Sequence, residues 1–204
     1  MTHQQVPDIF LERLKAIIPP AFYDSAVMRL NCACLFYVRV NTLKISVDGA
    51  RQVLDGAGIV YEMVPDASEA FCFPPQEAAR VRGLKQFTRG EFYLQSLSSM
   101  LTVQALDPQP GERVLDLCAA PGSKTSQAAA RMNNAGEVSA VEAVRGRFYQ
   151  LKSVLRLLGV ENTQCLCMDG RRFQARGGLF DRVLVDAPCS SEGRFRCDNA
   201  KTFA

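Results

Sequence analysis

Four carboxylates stand where a ligand site is to be expected. Asp116, Glu142, Asp169 and Asp186 close, or lie just inside, four short apolar runs: RVLDLC (113–118), EVSAVE (137–142), NTQCLCMD (162–169) and DRVLVDAPC (181–189). Runs of this length, bounded by turn residues and alternating with helical patterns, read as strands of a parallel sheet joined by right-handed crossovers. Ligands of such sheets bind outside the carboxyl ends of the strands, where these acids fall. One acid there is ordinarily a cap or a surface charge; four on consecutive strands make a pocket. Glu142 follows Asp116 by 26 residues. That is near the offset, about 20 residues, at which doubly wound folds set an acid on ribose hydroxyls.

The segment D-L-C-A-A-P-G-S-K-T (116–125) joins the first strand to its helix, and Gly122 permits a tight turn and close ligand approach. Two phosphate-binding patterns are excluded. A Walker A loop needs Gly immediately before Lys124 and another five residues earlier, where Ser123 and Cys118 stand, and G-x-G-x-x-G is absent. The loop instead sets Asp116 among small residues, which suits a cationic ligand with amino groups. Asp169 would accept from an adenine amino group or a ligand ammonium. S-adenosylmethionine (AdoMet) has the required parts: ribose, adenine, an α-ammonium and a sulfonium, with no phosphate.

The elements positioning these residues follow from periodicity. Phe10, Leu11, Leu14, Ile17 and Ile18 recur at helical spacing before Pro19-Pro20, and a second helix runs from Ala21 to Leu30. LFYVRVN (35–41) reads as a strand, 48–54 as a helix and IVYEMV (59–64) as a short strand. LQSLSSMLTVQAL (94–106) is an apolar-faced helix, and DPQPG (107–111) a strong turn and domain boundary. Beyond it, helices run from the loop through Arg131 and over RGRFYQLKSVLRLLG (145–159). The expected organisation is N-terminal helices over 1–31, a small α/β unit with a linking helix over 32–108, and a Rossmann-like sheet over 109–204.

Composition narrows the class. The 204 residues are 48% hydrophobic and 22% charged, the proportions of a soluble globular chain of one to two domains. No run approaches the ~18 apolar residues of a membrane span, and no signal peptide is visible. A cytoplasmic location without membrane partners is expected. The single histidine, His3, makes Ser-His-Asp and Cys-His catalysis implausible. The eight cysteines include no C-x-x-C pair, so neither a zinc ribbon nor any other metal site is expected. Six of the eight read as buried, reduced thiols. Residues 109–204 carry 14 Lys and Arg against 10 Asp and Glu, whereas 1–108 carry 10 against 11. The excess suits a polyanionic partner such as nucleic acid, or a solvated arginine-rich surface.

DLCAAPGSKT, Glu142, the Asp169 strand and VDAPCSSEG together resemble the RsmB/Nop/Sun family of RNA 5-methylcytosine methyltransferases. RVNTLKIS (39–46), FYLQSLSSML (92–101) and AAPGSKTSQAAARMNN (119–134) are most similar to its bacterial small-subunit ribosomal RNA branch. The resemblance covers roughly 35–195. It implies a class I (Rossmann-like) AdoMet-dependent methyltransferase sheet preceded by a small α/β RNA-recognition-like domain, and a monomer acting on RNA, here ribosomal RNA. Cys118, Ala119, Ala120, Pro121, Gly122, Ser123 and Lys124 would form the AdoMet loop. Glu142 would hold the ribose hydroxyls, Asp169 the adenine side, and Asp186 the methionine end and target base.

Methylating C5 of cytosine calls for covalent catalysis: a thiolate adds to C6, C5 attacks the methyl group, a base removes the C5 proton and the thiolate leaves. The base must be presented unstacked. Cys189, in D-A-P-C, matches the family's first cysteine, to which the resemblance assigns release of the adduct. The family's nucleophile lies in a T-C motif, and no T-C pair occurs here. Cys197, in GRFRCDNA, reads as an incidental thiol. Four of the usual seven strands are visible, so a C-terminally truncated sheet that binds AdoMet without the main nucleophile is expected. Two other readings stay open: a non-catalytic RNA-binding or assembly protein, and a cytosine-C5 methyltransferase with Cys189 as sole nucleophile.

Overall fold

The computed structural model describes residues 8–30, 35–65, 67–175 and 177–188. Two helices open it, α1 (Asp8–Ile17) and α2 (Pro20–Leu30). Pro20 takes the first position of α2, where its missing N–H costs nothing. The Tyr23 hydroxyl donates to the Leu11 carbonyl at 3.5 Å. Residues 35–187 form a separate compact unit that contains two four-stranded sheets.

The first sheet is built from β1 (Phe36–Val40), α3 (Val47–Gly56), β2 (Glu62–Val64), β3 (Ala67–Phe73), the short helices α4 (Ala78–Arg82) and α5 (Lys85–Thr88), and β4 (Phe92–Leu94). Its order is β2-β3-β1-β4, all antiparallel, the split β-α-β-β-α-β arrangement. Alternation along β1 divides the faces. Val38 and Val40 join Ala50, Leu54, Phe71, Phe73, Val81 and Phe92 in a core under α3 and α4. Tyr37 and Arg39 point to the other face.

Two of these strands escape the sequence reading, and one is shorter than expected. The strand expected over 59–64 covers Glu62–Val64, because Gly58 and the chain after it are still leaving α3. β3, ASEAFCF, was not anticipated: Glu69 and Ser68 interrupt its apolar alternation, yet its buried Ala70, Phe71, Cys72 and Phe73 make it a central strand. β4 belongs to this sheet rather than opening the next region. The helix expected from 94 starts at Leu97 as α6 (Leu97–Leu106), where Ser96 Oγ caps it by accepting from the Ser99 N–H.

The second sheet comprises β5 (Arg113–Asp116), α7 (Ser123–Arg131), β6 (Glu137–Glu142), α8 (Arg145–Leu158), β7 (Thr163–Cys167) and β8 (Arg182–Leu184). Every pair is parallel and the order is β7-β6-β5-β8. The chain therefore steps outward from β5 to β7, then returns to the other side of β5. That reversal is a topological switch point, where ligands of open α/β sheets bind. The helices α7 and α8 cover one face, on which Val114, Val138, Ala140 and Cys165 lie. The first, third and fourth strands end earlier than the apolar runs suggested: at Asp116, at Cys167 and at Leu184. Asp169 and Asp186 thus stand in the loops just past their strands.

Among the described cysteines all four are free, but only Cys72 is buried; Cys118 and Cys165 are half-buried and Cys167 is exposed. The buried-thiol expectation fails for Cys167, whose side chain sits at the exposed outer end of β7. Among the described residues no helix is long and apolar enough to cross a membrane. Cys189 and Cys197 lie outside the described residues.

Candidate cofactor site at the carboxyl ends of the strands

β5 delivers Asp116 to the switch point, and the chain then turns sharply. The Leu117 N–H bonds to the Leu184 carbonyl at 3.0 Å and the Ala119 N–H to the Val141 carbonyl at 2.9 Å. The loop is thereby stitched to both neighbouring strands. Asp116 is 2% exposed. Its Oδ2 accepts from Thr125 Oγ1 at 2.7 Å and its Oδ1 from the Cys118 N–H at 3.3 Å. Burial pushes its carboxyl up to about 6, against the pull of those two hydrogen bonds and of Lys124. Among the described residues no Lys or Arg side chain is bonded to this carboxylate.

The loop Cys118–Lys124 runs into α7 through Gly122, whose φ of +108° favours glycine. A Cβ at Gly122 would stand 3.0 Å from Leu151 Cδ1 and 3.4 Å from Val154 Cγ1. The loop is pressed against α8 as closely as a bare backbone allows. Three consecutive residues of the first turn of α7 are then fixed from three directions. Lys124 Nζ lies 2.6 Å from Asp186 Oδ2 and 3.2 Å from Ser99 Oγ. Thr125 holds Asp116. Ser126 Oγ accepts from Arg39 Nη2 at 2.8 Å and donates to the Ser123 carbonyl at 3.0 Å.

Glu142 ends β6 and is 3% exposed. Its Oε1 accepts from the Val144 N–H at 2.8 Å, and its Oε2 lies 3.5 Å from Arg147 Nη1. The same arginine donates to the Ala120 carbonyl at 2.7 Å, tying the Glu142 turn to the loop after β5. Asp169 caps a 3₁₀ turn, Gly170–Arg172. Arg171 grips its carboxylate through Nε and Nη2, the shortest contact being 2.6 Å, and this holds Asp169 down at about 2. Cys118, amid these groups, has its thiol raised by burial and then by Asp116, Glu142 and Asp186. It is a poor nucleophile at neutral pH.

All described members of the expected site therefore gather at one end of the sheet. Asp116, the loop Cys118, Ala119, Ala120, Pro121, Gly122, Ser123, Lys124, and Glu142 and Asp186 share the neighbourhood of β5. Asp169 stands farther out, on an open groove of about 690 Å³ bordered by Cys167, Met168, Arg172 and Gln174. A second hollow, about 350 Å³, lies on the sheet face away from α7 and α8, lined by Ser139, Gln164, Leu166 and Phe180 among others. It contains none of the four carboxylates.

Residues 103–202 match a family described as 16S rRNA methyltransferase RsmB/F. That segment belongs to the RsmB/F family. It is 37% identical over 198 residues to the ribosomal RNA small subunit methyltransferase F of Escherichia coli, spanning 94% of this chain and 41% of that protein. The chain thus spans less than half the length of the curated relatives it matches. The crystal structure of PH0851 superposes on 96% of it with a TM-score of 0.83 at 29% identity, covering 44% of that chain. A methyltransferase homologue from Pyrococcus horikoshii superposes on 91% with a TM-score of 0.69 at 31% identity, covering 64% of that chain. These likenesses confirm a Rossmann-like methyltransferase fold.

Sequence reasoning missed the residues that brace the site rather than line it. Thr125, Ser126 and Arg147 lie in segments already singled out, and a hydroxyl one turn into α7 is the kind of residue that reaches a buried acid. Arg39, Gln95, Ser99 and Gln127 also lie in quoted segments, but nothing local pairs them, because their partners are distant in the chain.

Proposed function

We propose that this chain binds AdoMet at the carboxyl ends of β5, β6 and β7 and contributes that site to methylation of C5 of cytosine in ribosomal RNA, in the cytoplasm. The single observation carrying this reading is Asp116. A buried carboxylate at the switch point, hydrogen-bonded among the described residues to one hydroxyl and one backbone amide, favours a cationic ligand beside it. The residues present fit AdoMet. Asp116 and the glycine-bearing loop offer charge and close backbone approach, and no phosphate cradle competes.

In this assignment Cys118 to Lys124 form the wall along the ligand. Glu142 takes the ribose hydroxyls on the carboxylate lone pairs that Val144 and Arg147 leave open. Asp169 faces the adenine side; its exposed bond to Arg171 yields at little cost. Asp186, held by Lys124, stands at the methionine end and the target base. Bound AdoMet supplies an electrophilic methyl group. Cys118 is held as a thiol and takes no part in the covalent step. Cys189, three residues beyond Asp186, is the cysteine assigned to cytosine, with release of the adduct as its role. The relatives' printed name, ribosomal RNA small subunit methyltransferase F, supports the substrate class.

Deleting the coding sequence from its host tests the reaction. Mass spectrometry of small-subunit ribosomal RNA nucleosides should show the loss of 5-methylcytosine from one position. Unchanged 5-methylcytosine, or loss of a different methyl mark, would contradict the proposal.

A further inference from the structure

Arg39 lies in the middle of β1 with 1% of its surface exposed, on the sheet face away from α3. Its Nε donates to Gln95 Oε1 at 2.8 Å, and its Nη2 to Ser126 Oγ at 2.8 Å. Gln95 Nε2 in turn donates to Gln127 Oε1 at 2.7 Å. Gln127 Nε2 reaches Glu69 Oε1 at 3.1 Å and the Met100 carbonyl at 3.2 Å. Glu69 Oε1 lies 3.5 Å from Arg131 Nη1. One buried polar network therefore runs from β1 and β3 of the first sheet into both turns of α7 that follow the Cys118–Lys124 loop. Burying a guanidinium on neutral amide and hydroxyl partners is costly, and burial lowers Arg39 to about 10. Apolar packing would join the two sheets more cheaply.

The far end of the network says what that cost accomplishes. Ser126 Oγ accepts from Arg39 and donates a hydrogen bond to the Ser123 carbonyl, while its backbone N–H bonds to the Gly122 carbonyl at 2.9 Å. Its neighbour Thr125 holds Asp116. We infer that Arg39 is a positioning residue of the cofactor site: from the first sheet it fixes the first turn of α7, so that docking of that sheet and ligand binding at Gly122–Ser126 are energetically coupled. Because such coupling is reciprocal, a ligand in the loop also tightens β1 against α7. The inference rests on the assignment of AdoMet to this loop.

The test uses the whole 204-residue chain, titrated with AdoMet by calorimetry and followed by amide hydrogen exchange. Arg39→Met should weaken AdoMet binding about fivefold or more and speed exchange of the amides at 123–126, with the β6 amides unchanged. Arg39→Lys should behave like Arg39→Met, since one ammonium does not reproduce the planar fork that reaches Gln95 and Ser126 together. Ser126→Ala removes only the α7 half of the contact and serves where Arg39→Met does not fold. The double variant Arg39→Met/Ser126→Ala should bind no more weakly than the poorer single variant. Wild-type affinity and wild-type exchange at 123–126 in these variants would overturn the inference. A wild-type chain that fails to bind AdoMet would overturn the cofactor assignment instead, and exchange at 123–126 would still decide whether Arg39 braces the loop.

Discussion

Asp116 concentrates the physical logic of the site in one side chain. Its folded-state pKa, about 6, lies above the ordinary carboxylate value of 3.8. The folded chain therefore binds the extra proton between those values, so stability falls as pH rises from 3.8 to about 6 and the full cost holds above that. At pH 8 that cost is on the order of 3 kcal/mol. Asp116→Asn keeps the shape and removes the buried charge. Thermal unfolding should show Asp116→Asn more stable than wild type at pH 8, with the advantage gone at pH 4. A variant less stable at pH 8 would mean that the hydrogen bonds from Thr125 and Cys118 outweigh desolvation. Asp116, Glu142 and Gly122 were legible in the sequence because each is a residue type with one good reason to stand at a strand end or a tight turn. Arg39 was not: in RVNTLKIS it looks like any polar residue alternating with valines, and Ser126 lies 87 residues away.

At the scale of elements, the second sheet was legible and half of the first was not. β5 to β8 are parallel and set apart by helices or long loops, and β5 and β6 are buried, so their apolar runs stand clear of the turns. β3 and β4 are antiparallel strands whose one face is polar or small, and they carry too few apolar residues in a row to be distinguished locally. Their placement depends on long-range contacts such as those of Asn41, next after β1. Asn41 Nδ2 donates to the Gly90 carbonyl at 2.8 Å and to the Leu158 carbonyl at 2.7 Å. Lys44 Nζ donates to the Arg89 and Leu157 carbonyls, where a cation also suits the end of α8. Gly90 sits so close that a Cβ would meet the Leu157 carbonyl oxygen at 2.1 Å. The segment after β1 thus seals the last turn of α8. Asn41→Ala leaves two buried carbonyls unpaired, and urea denaturation should show a loss of about 2 kcal/mol or more. A loss under 0.5 kcal/mol would mean that these carbonyls find other partners.

For the molecule as a whole, the two sheets of residues 35–187 act as one frame around the carboxyl ends of the second. The first sheet has the strand order of RNA-recognition folds, which stack bases on an open sheet face. Here that face is taken by Arg39 and by Ala67 and Ala70, packed against Met100 of α6, so its role toward α7 is structural. In the proposed function this frame serves to present Asp116 to a cationic nucleoside. Calorimetric titration with AdoMet between pH 5 and 8 tests this most directly. Binding to the wild-type chain should weaken by up to tenfold per unit as pH falls below about 6, because the ligand then competes with a proton on Asp116. Asp116→Asn should bind weakly at every pH. A pH-independent affinity that Asp116→Asn leaves unchanged would contradict the account.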